Sequence, residues 1–337
     1  MKQVGIVGAP YAGKTTLFNA LTNAGATPSK ANVAVVPVPD ERVDVLTRLH
    51  ASRKSVYAQV KFVDIASLSA QALGQLREMD ALLVVVRGYG EDAKPEAELA
   101  DVMTELALAD LVSISGASDR IAKRARAGDK AAAAEAEVLS RARDILESGR
   151  PLRDEKWELE EYALFRDFAP LTMKPALLVV NVEDEQRPES TAQAATLAAG
   201  LGPGAIGVAV PARLEAEAGG LPNAEADELL AGYGVETRAL PSVIAAAYQQ
   251  LTLVTFLTTG EDESRAWEVR HGATAPEAAG VIHTDLQRGF IRAEVATYEE
   301  IVRAGSWDNA KSAGKLRVEG RDYVVEDGDV LNVRFAV

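Results

Sequence analysis

Uninterrupted apolar runs and helically spaced apolar positions alternate along the chain. Residues 4–7, 81–86 and 176–180 are apolar throughout, which is typical of strands covered on both faces of a parallel sheet. A fourth run occupies residues 205–210. Between the second and third runs, residues 95–169 show the three- and four-residue spacing of amphipathic helices. The pattern predicts an α/β domain interrupted by a long helical insertion.

A glycine-containing loop follows the first apolar run. The stretch 8–16 reads Gly-Ala-Pro-Tyr-Ala-Gly-Lys-Thr-Thr and precedes a helical pattern, so it matches G-x-x-x-x-G-K-[ST] between a strand and a helix. In that context the loop amides hold nucleotide phosphates, Lys14 reaches the β- and γ-phosphates, and the Thr15 hydroxyl ligates Mg²⁺. The candidate phosphate-binding residues are Ala9, Pro10, Tyr11, Ala12, Gly13, Lys14, Thr15 and Thr16.

A strand pattern at 56–64 ends in an aspartate, Asp64. The carboxyl ends of the strands form the ligand-binding edge of an open α/β sheet. A carboxylate there, beside a phosphate loop, usually holds Mg²⁺ through water, whereas the same aspartate alone would be interpreted as a turn cap. Lys14, Thr15 and Asp64 are therefore the predicted catalytic residues, with Thr15 and Asp64 at the metal.

The ends of the last two apolar runs carry the candidate base-binding residues. Asn181 directly follows the third run and is expected to support the phosphate loop, and Asp184 is placed to read a purine edge. Taken alone, each is also an ordinary strand end. The other candidates for contact with the base are Val182, Ala212 and Arg213.

Composition narrows the class of protein. The 337 residues include 36 basic and 50 acidic side chains, for a net charge of −14, which argues against broad non-specific nucleic-acid binding, and no DNA specificity is expected. The absence of cysteine excludes disulfide, zinc-ribbon and thiol chemistry. The sequence shows no signal-type segment and no long apolar run, so a cytoplasmic protein that does not bind membranes is expected.

Two regions offer local positive charge. Residues 120–130 contain five Lys or Arg near an expected helical hairpin tip; a solvated face and an arm that touches RNA or a partner both fit them. From residue 251 onward, glycines separate short β-like runs, which predicts a separate α+β domain. The expected boundaries are 1–94 and 170–250 for the nucleotide domain, 95–169 for the helical insertion, and 251–337 for the last domain.

Several segments together resemble the YchF (Obg-like ATPase) family of P-loop NTPases. The resemblance implies a Ras-like P-loop domain, an inserted α-helical coiled-coil arm and a C-terminal β-grasp domain of the TGS type. It also implies ATP hydrolysis, with GTP accepted by some members, and association with ribosomes or structured RNA. The matching segments are 17–22, 36–40, 62–66, 108–111, 265–267, 278–285, 289–295 and 320–329.

The chain departs from the family pattern around the nucleotide. Tyr11 stands where the family usually has Asn, and Ser67 stands where a glycine usually approaches the γ-phosphate. Because the switch loops are also shortened, slow hydrolysis is expected. Asp184 lies three residues after Asn181, at a position where the family has Glu. The resemblance therefore implies ATP as the ligand, whereas the shorter carboxylate of Asp184 indicates GTP.

Two functions are consistent with these observations. The first is a slow ATP- or GTP-hydrolysing switch that acts in translation with Mg²⁺. The second is a catalytically degenerate scaffold, with or without nucleotide, that docks on the ribosome or on RNA through the arm and the C-terminal domain. The intact phosphate loop favours the first function, and the shortened switch loops favour the second.

Overall fold

The computed structural model describes residues 1–23, 27–30, 32–65, 67–183, 188–235 and 237–336. The chain divides into two compact units. The first unit comprises Met1–Val36 and Val60–Leu251, and the second comprises Pro37–Gln59 and Thr252–Val337.

The secondary structure of both units is numbered in chain order. The strands are β1 (Lys2–Gly8), β2 (Thr27–Lys30), β3 (Val33–Pro37), β4 (Ser55–Val56), β5 (Gln59–Asp64), β6 (Ala81–Arg87), β7 (Ala176–Asn181), β8 (Gly207–Val210), β9 (Leu253–Thr259), β10 (Ser264–Arg270), β11 (Phe290–Thr297), β12 (Arg317–Glu319) and β13 (Asp329–Phe335). The helices are α1 (Lys14–Asn23), α2 (Glu41–Leu49), α3 (Ala70–Arg77), α4 (Pro95–Arg126), α5 (Lys130–Glu147), α6 (Leu159–Phe165), α7 (Pro188–Ala198), α8 (Ala212–Ala218), α9 (Asn223–Gly232), α10 (Leu240–Gln250), α11 (Ala275–Ile282), α12 (Thr284–Arg288), α13 (Tyr298–Ala304) and α14 (Trp307–Ser312).

The sheet of the first unit has the strand order β2-β3-β5-β1-β6-β7-β8. β1 lies parallel to β5 and β6, and β7 lies parallel to β6 and β8. The carboxyl ends of these five strands therefore share one edge, where ligands of such sheets bind. β6 and β7 are buried along almost their whole length, as their continuous apolar runs predict. The predicted α/β class is confirmed.

The helical insertion has two parts. The first half of α4 packs on the sheet through Leu99, Val102 and Leu106, whereas its second half packs with α5 around Ile114 and Leu139. A short turn between the two helices makes them neighbours, as in an αα-hairpin. The arm has a small core of its own, separate from the core over the sheet.

A buried aspartate connects α4 to the end of α3 and to the segment that precedes β7, all within the first unit. Asp110 of α4 has no exposed surface and accepts hydrogen bonds from the backbone N–H groups of Leu171 and Thr172 at 2.9 and 2.8 Å. The guanidinium of Arg77, at the end of α3, donates to the same carboxylate at 3.0 Å. Each acceptor oxygen is thereby satisfied, which a buried carboxylate requires.

The second unit is built on a sheet with the order β12-β11-β13-β9-β10-β4. β4 pairs in parallel with β10, with Ser55 opposite Ser264. α2 belongs to the same unit: Asp40 caps its N-terminus, and Arg42 donates to Asp40 and to Asp327 at 2.8 and 2.7 Å.

The units differ from the expected domain boundaries at residues 37–59 and at Leu251. Residues 37–59, assigned by sequence to the nucleotide domain, belong to the second unit. The physical reason is that β4 finds its strand partner in β10 and α2 is bonded to Asp327. The helical insertion, 95–169, stays in the first unit. Among the described residues, no helix combines the length and apolarity needed to cross a bilayer.

Candidate functional site

The phosphate loop joins β1 to α1. β1 ends at Gly8 and α1 begins at Lys14, so the loop leads directly into a helix N-terminus, where anions are favoured. Gly13 has a φ of +89° and Tyr11 a φ of +64°. Left-handed backbone suits glycine and strains tyrosine. The loop therefore holds one of its residues in a costly conformation.

Lys14 lies under this loop. Only 8% of it is exposed, and its Nζ donates to the carbonyl oxygens of Gly8 and Ala9 at 3.0 and 2.9 Å. Burial lowers the pKa of Lys14, and the charges of Asp64 and Glu98 partly oppose that shift. The ammonium group is thus held beside the loop amides, and an added negative charge would favour its protonated form.

Thr15 and Asp64 form the adjoining oxygen pair. The register of β1 against β5 sets Ile6 opposite Asp64, which brings the aspartate to the same sheet edge as the loop. Thr15 Oγ1 donates to Asp64 Oδ2 at 3.0 Å. The other carboxylate oxygen, Asp64 Oδ1, is buried and has no hydrogen-bond partner. A buried acceptor without a donor is costly unless a ligand or an ion satisfies it.

This oxygen pair fits a magnesium site that also uses water and phosphate. The described residues contain no group of three or more His, Cys, Asp or Glu side chains that could hold a metal by themselves. Mg²⁺ commonly takes only one or two protein oxygens and completes its octahedron with water and substrate phosphates. Thr15 and Asp64 match that donor set.

A cavity of about 810 Å³ opens beside the loop, within the size range of small-molecule sites. The loop end of β7 lies along it, between loops that follow β6 and β8. The residues lining the cavity are Gly13, Thr16, Gly88, Tyr89, Gly90, Asn181, Val182, Glu183, Ser190, Arg213 and Tyr233.

Asn181 ties three segments together. Its Nδ2 donates to the carbonyl oxygen of Ala12 in the phosphate loop at 3.1 Å, and its Oδ1 accepts from the backbone N–H of Ala212 at 3.2 Å. One buried amide thus connects β7, the phosphate loop and the start of α8. The geometry agrees with the expected support of the loop by Asn181.

The remaining candidate residues take different positions. Thr16, Val182 and Arg213 line the cavity. Pro10 and Tyr11 are exposed, and proline has no N–H to give to a phosphate, so Pro10 contributes shape and not a hydrogen bond. The carboxylate expected to read the purine edge, on residue 184, lies outside the described residues.

Sequence reasoning missed Tyr89 in the loop after β6. This residue lines the cavity, and its hydroxyl donates to the carbonyl oxygen of Tyr11 at 2.5 Å. The available signal was its position: Tyr89 lies two residues beyond β6, whose carboxyl end lies at the ligand-binding edge of the sheet. The same reasoning missed Glu183, whose Oε1 accepts from Gly90 N at 3.1 Å, and Tyr233 at the end of α9.

The chain is similar to known proteins over nearly its whole length. The chain is 39% identical over 358 residues to the "Ribosome-binding ATPase YchF" of Haemophilus influenzae, covering 99% of both chains. This chain belongs to the YchF family. The YchF relative from Bacillus subtilis is 38% identical over 363 residues and likewise covers 99% of both chains. Human "Obg-like ATPase 1" is 33% identical over 365 residues, covering 99% of this chain and 92% of its own.

A solved structure and two family models agree with YchF membership. The structure of the Schizosaccharomyces pombe YchF GTPase matches with a TM-score of 0.89 and 26% identity, over 99% of this chain and 97% of that chain. Residues 3–115 match a family described as "50S ribosome-binding GTPase". Residues 253–336 match the C-terminal domain of YchF GTPases, described as "Protein of unknown function (DUF933)". The predicted family and the predicted combination of a P-loop domain with a C-terminal domain are confirmed.

Proposed function

We propose that this chain binds a Mg²⁺–purine nucleoside triphosphate in the cavity beside the phosphate loop and hydrolyses it slowly. One observation carries the proposal. Thr15 Oγ1 and Asp64 Oδ2 lie 3.0 Å apart next to the buried Lys14, and Asp64 Oδ1 is buried without a partner. That is an incomplete set of oxygen donors beside a cation, as a metal–phosphate ligand requires.

Each residue of the set has a distinct role. Lys14 holds the negative charge of the terminal phosphates, and the Thr15 hydroxyl supplies one oxygen to the metal. Asp64 accepts from water molecules on the metal and keeps the Thr15 hydroxyl oriented. Mg²⁺, when bound, neutralises charge on the phosphates. The amides of the loop and of the first turn of α1 complete the anion site.

Slow turnover is supported by the segment after Asp64. Ser69 caps α3 through a 3.4 Å hydrogen bond from Ala72 N, and both glutamines of α3, Gln71 and Gln75, are exposed. Neither glutamine is held by a hydrogen bond near Thr15 or Asp64. Orienting the attacking water contributes strongly in phosphoryl transfer, so a chain that leaves this role to exposed glutamines without such a hydrogen bond is expected to bind nucleotide better than it hydrolyses it.

The purine remains part of the proposal. The names of the relatives from Haemophilus influenzae and Bacillus subtilis support ATP, whereas Asp184, three residues after Asn181, supports GTP. Calorimetric titration with non-hydrolysable analogues of both nucleotides, with and without Mg²⁺, decides between them.

Two lysines make a matched test of the site. We expect Lys14→Ala to abolish nucleotide binding. Lys61→Ala leaves it unchanged, because the Lys61 ammonium donates to Gln3 at 2.7 Å, near the start of β1 and not at the phosphate loop that follows its end. Unchanged affinity in Lys14→Ala would refute the assigned site. No binding by the unmutated chain would favour the scaffold function.

Docking on the ribosome, in the cytoplasm, is the second part of the proposal. Relatives carry the name "Ribosome-binding ATPase", and the arm tip offers positive charge for RNA phosphates. Arg124 is neutralised by Asp129 and Glu135 at 2.7 and 3.0 Å. The tip side chains that are exposed, and that make no ion pair with another described residue, are Arg120, Lys123, Arg126 and Lys130.

Variants of two arginines at the arm tip, Arg124 and Arg126, distinguish a tip that contacts RNA from one that is only solvated. If the tip binds phosphate, Arg126→Gln weakens co-sedimentation with ribosomes and lowers its salt dependence by about one unit in log–log slope. Arg124→Gln changes it less, because that charge is already compensated. Equal behaviour of both variants would favour the solvated-face interpretation of residues 120–130.

A further inference from the structure

We propose that the Tyr89 hydroxyl is a latch that holds the phosphate loop in its anion-binding conformation. The inference deepens the proposed nucleotide site and rests on it. Tyr89 follows β6, and its Oη donates to the carbonyl oxygen of Tyr11 at 2.5 Å across 78 residues of sequence. Because the acceptor is a backbone atom, the bond acts on the loop itself.

The bonded residue is the one that the loop strains. Tyr11 has a φ of +64°, and left-handed backbone is unfavourable for a residue with a Cβ. The Tyr11 side chain is 89% exposed, so packing of its own ring does little to hold it there. Inside the loop, Ala12 N donates to Ala9 O at 3.3 Å. The Tyr89 hydroxyl supplies a shorter bond from outside the loop.

A second side chain also bonds to the loop. Asn181 Nδ2 donates to Ala12 O at 3.1 Å, so the consecutive carbonyls of residues 11 and 12 are held by one side chain from the loop after β6 and one from the end of the neighbouring strand β7. Holding these carbonyls fixes the peptide planes that join Tyr11 to Ala12 and Ala12 to Gly13. The second plane carries the Gly13 N–H, a donor of the kind that a phosphate needs at a helix N-terminus.

Tyr89 also lines the cavity, as do Val182 and Tyr233, while its hydroxyl bonds to the phosphate loop. Tyr89 is a positioning residue and acts on phosphate through Tyr11.

Binding of one ligand with a base and one without distinguishes two roles of Tyr89: holding the phosphate loop, or contacting the base. We expect Tyr89→Phe, which removes only the oxygen, to weaken binding of Mg²⁺–tripolyphosphate and of a non-hydrolysable ATP analogue by the same factor. That factor is about 3- to 10-fold, as expected for one net hydrogen bond. A loss confined to the nucleotide would overturn the latch, because only the base would then sense the side chain. Unchanged affinity for both ligands would overturn it as well.

The matched control is Tyr57→Phe. The Tyr57 hydroxyl donates to Asp44 Oδ1 at the same distance, 2.5 Å, in the second unit. We expect this variant to leave both affinities unchanged. An equal loss in Tyr57→Phe would assign the effect to general destabilisation.

Tyr11→Gly tests the role of the strained backbone. Glycine adopts the left-handed conformation without strain and keeps the carbonyl acceptor. In this background the loss caused by Tyr89→Phe is expected to shrink to less than about 2-fold, since the loop needs less support. An undiminished loss would contradict the part assigned to Tyr11.

Amide hydrogen exchange tests the latch without nucleotide. In the ligand-free full chain, Tyr89→Phe is expected to raise exchange at residues 11–13, and Tyr57→Phe is not. Unchanged exchange would overturn the inference even if nucleotide binds. Conversely, faster exchange in a chain that binds neither ligand would retain the latch and reject the proposed nucleotide function.

Discussion

Gly13 and Asn181 are so close that a Cβ on Gly13 would lie 2.0 Å from Nδ2 of Asn181. We expect Gly13→Ala to abolish nucleotide binding and to lower the thermal midpoint, because the methyl group would expel Asn181 and the left-handed φ adds about 1–2 kcal/mol of strain. Gly74→Ala is the control: α3 has open space at Gly74, and alanine there is expected to stabilise by roughly 0.5–1 kcal/mol. Equal effects of both substitutions would contradict the close approach.

The depressed pKa of Lys14 gives the nucleotide affinity a pH dependence. Burial lowers this pKa below 10.5 in the free site, and a bound phosphate raises it again. The complex therefore binds more protons than the free protein, and affinity falls as pH rises through the lowered pKa. Titrations from pH 7 to pH 10.5, the ordinary lysine value, are expected to show this fall in the unmutated chain and in Lys61→Ala. A flat profile up to pH 10.5 would contradict it.

Removing the Asp110 carboxylate is expected to loosen the root of the arm. Asp110→Ala leaves the buried N–H groups of Leu171 and Thr172, and the Arg77 guanidinium, without their acceptor. Breaking such a buried pair from one side costs about 3–5 kcal/mol. Hydrogen exchange in residues 110–173 measures it, with exposed Asp119→Ala on the same helix as the control. Protection equal to that of the control variant would show that the carboxylate is not the anchor.

Glu277 makes the stability of the N-terminus of α11, in the second unit, sensitive to acid. It accepts from Thr274 in a capping box and is paired with Arg270, which lowers its pKa to about 2. A depressed carboxylate pKa contributes stability above the unfolded value of about 4.5, and that stability is lost as pH falls through about 2. Glu277→Gln is therefore expected to cost about 1 kcal/mol at pH 7 and less at pH 2.5.

Thermal denaturation at both pH values measures the Glu277 effect. The comparison variant is Glu299→Gln, an exposed first-turn glutamate of α13, which is expected to change stability by only a few tenths of a kcal/mol. A loss in Glu277→Gln that is the same at pH 2.5 as at pH 7 would exclude the carboxylate charge as its cause.

Features encoded by neighbouring residues could be predicted from the sequence. The phosphate loop lies within nine consecutive positions, and β6 and β7 are continuous apolar runs. By contrast, the Tyr89–Tyr11 bond joins a side chain to a backbone carbonyl, and Asp110 binds amides 61 and 62 residues away. Contacts of that kind leave no periodicity in the sequence, and a backbone acceptor constrains no residue type. The grouping of residues 37–59 with the second unit could not be predicted either, since a two-residue strand such as β4 shows no pattern of its own.

The separated segment 37–59 has a consequence for synthesis. Ser52 and Ser264 are bonded in the second unit but lie 212 residues apart. At about 5–20 residues per second, the early segment emerges roughly 10–40 s before its strand partner. For that interval α2 and β4 are exposed without their sheet, while residues 60–251 of the first unit are synthesised. The second unit can therefore complete its fold only after β13 has been made, long after α2 and β4.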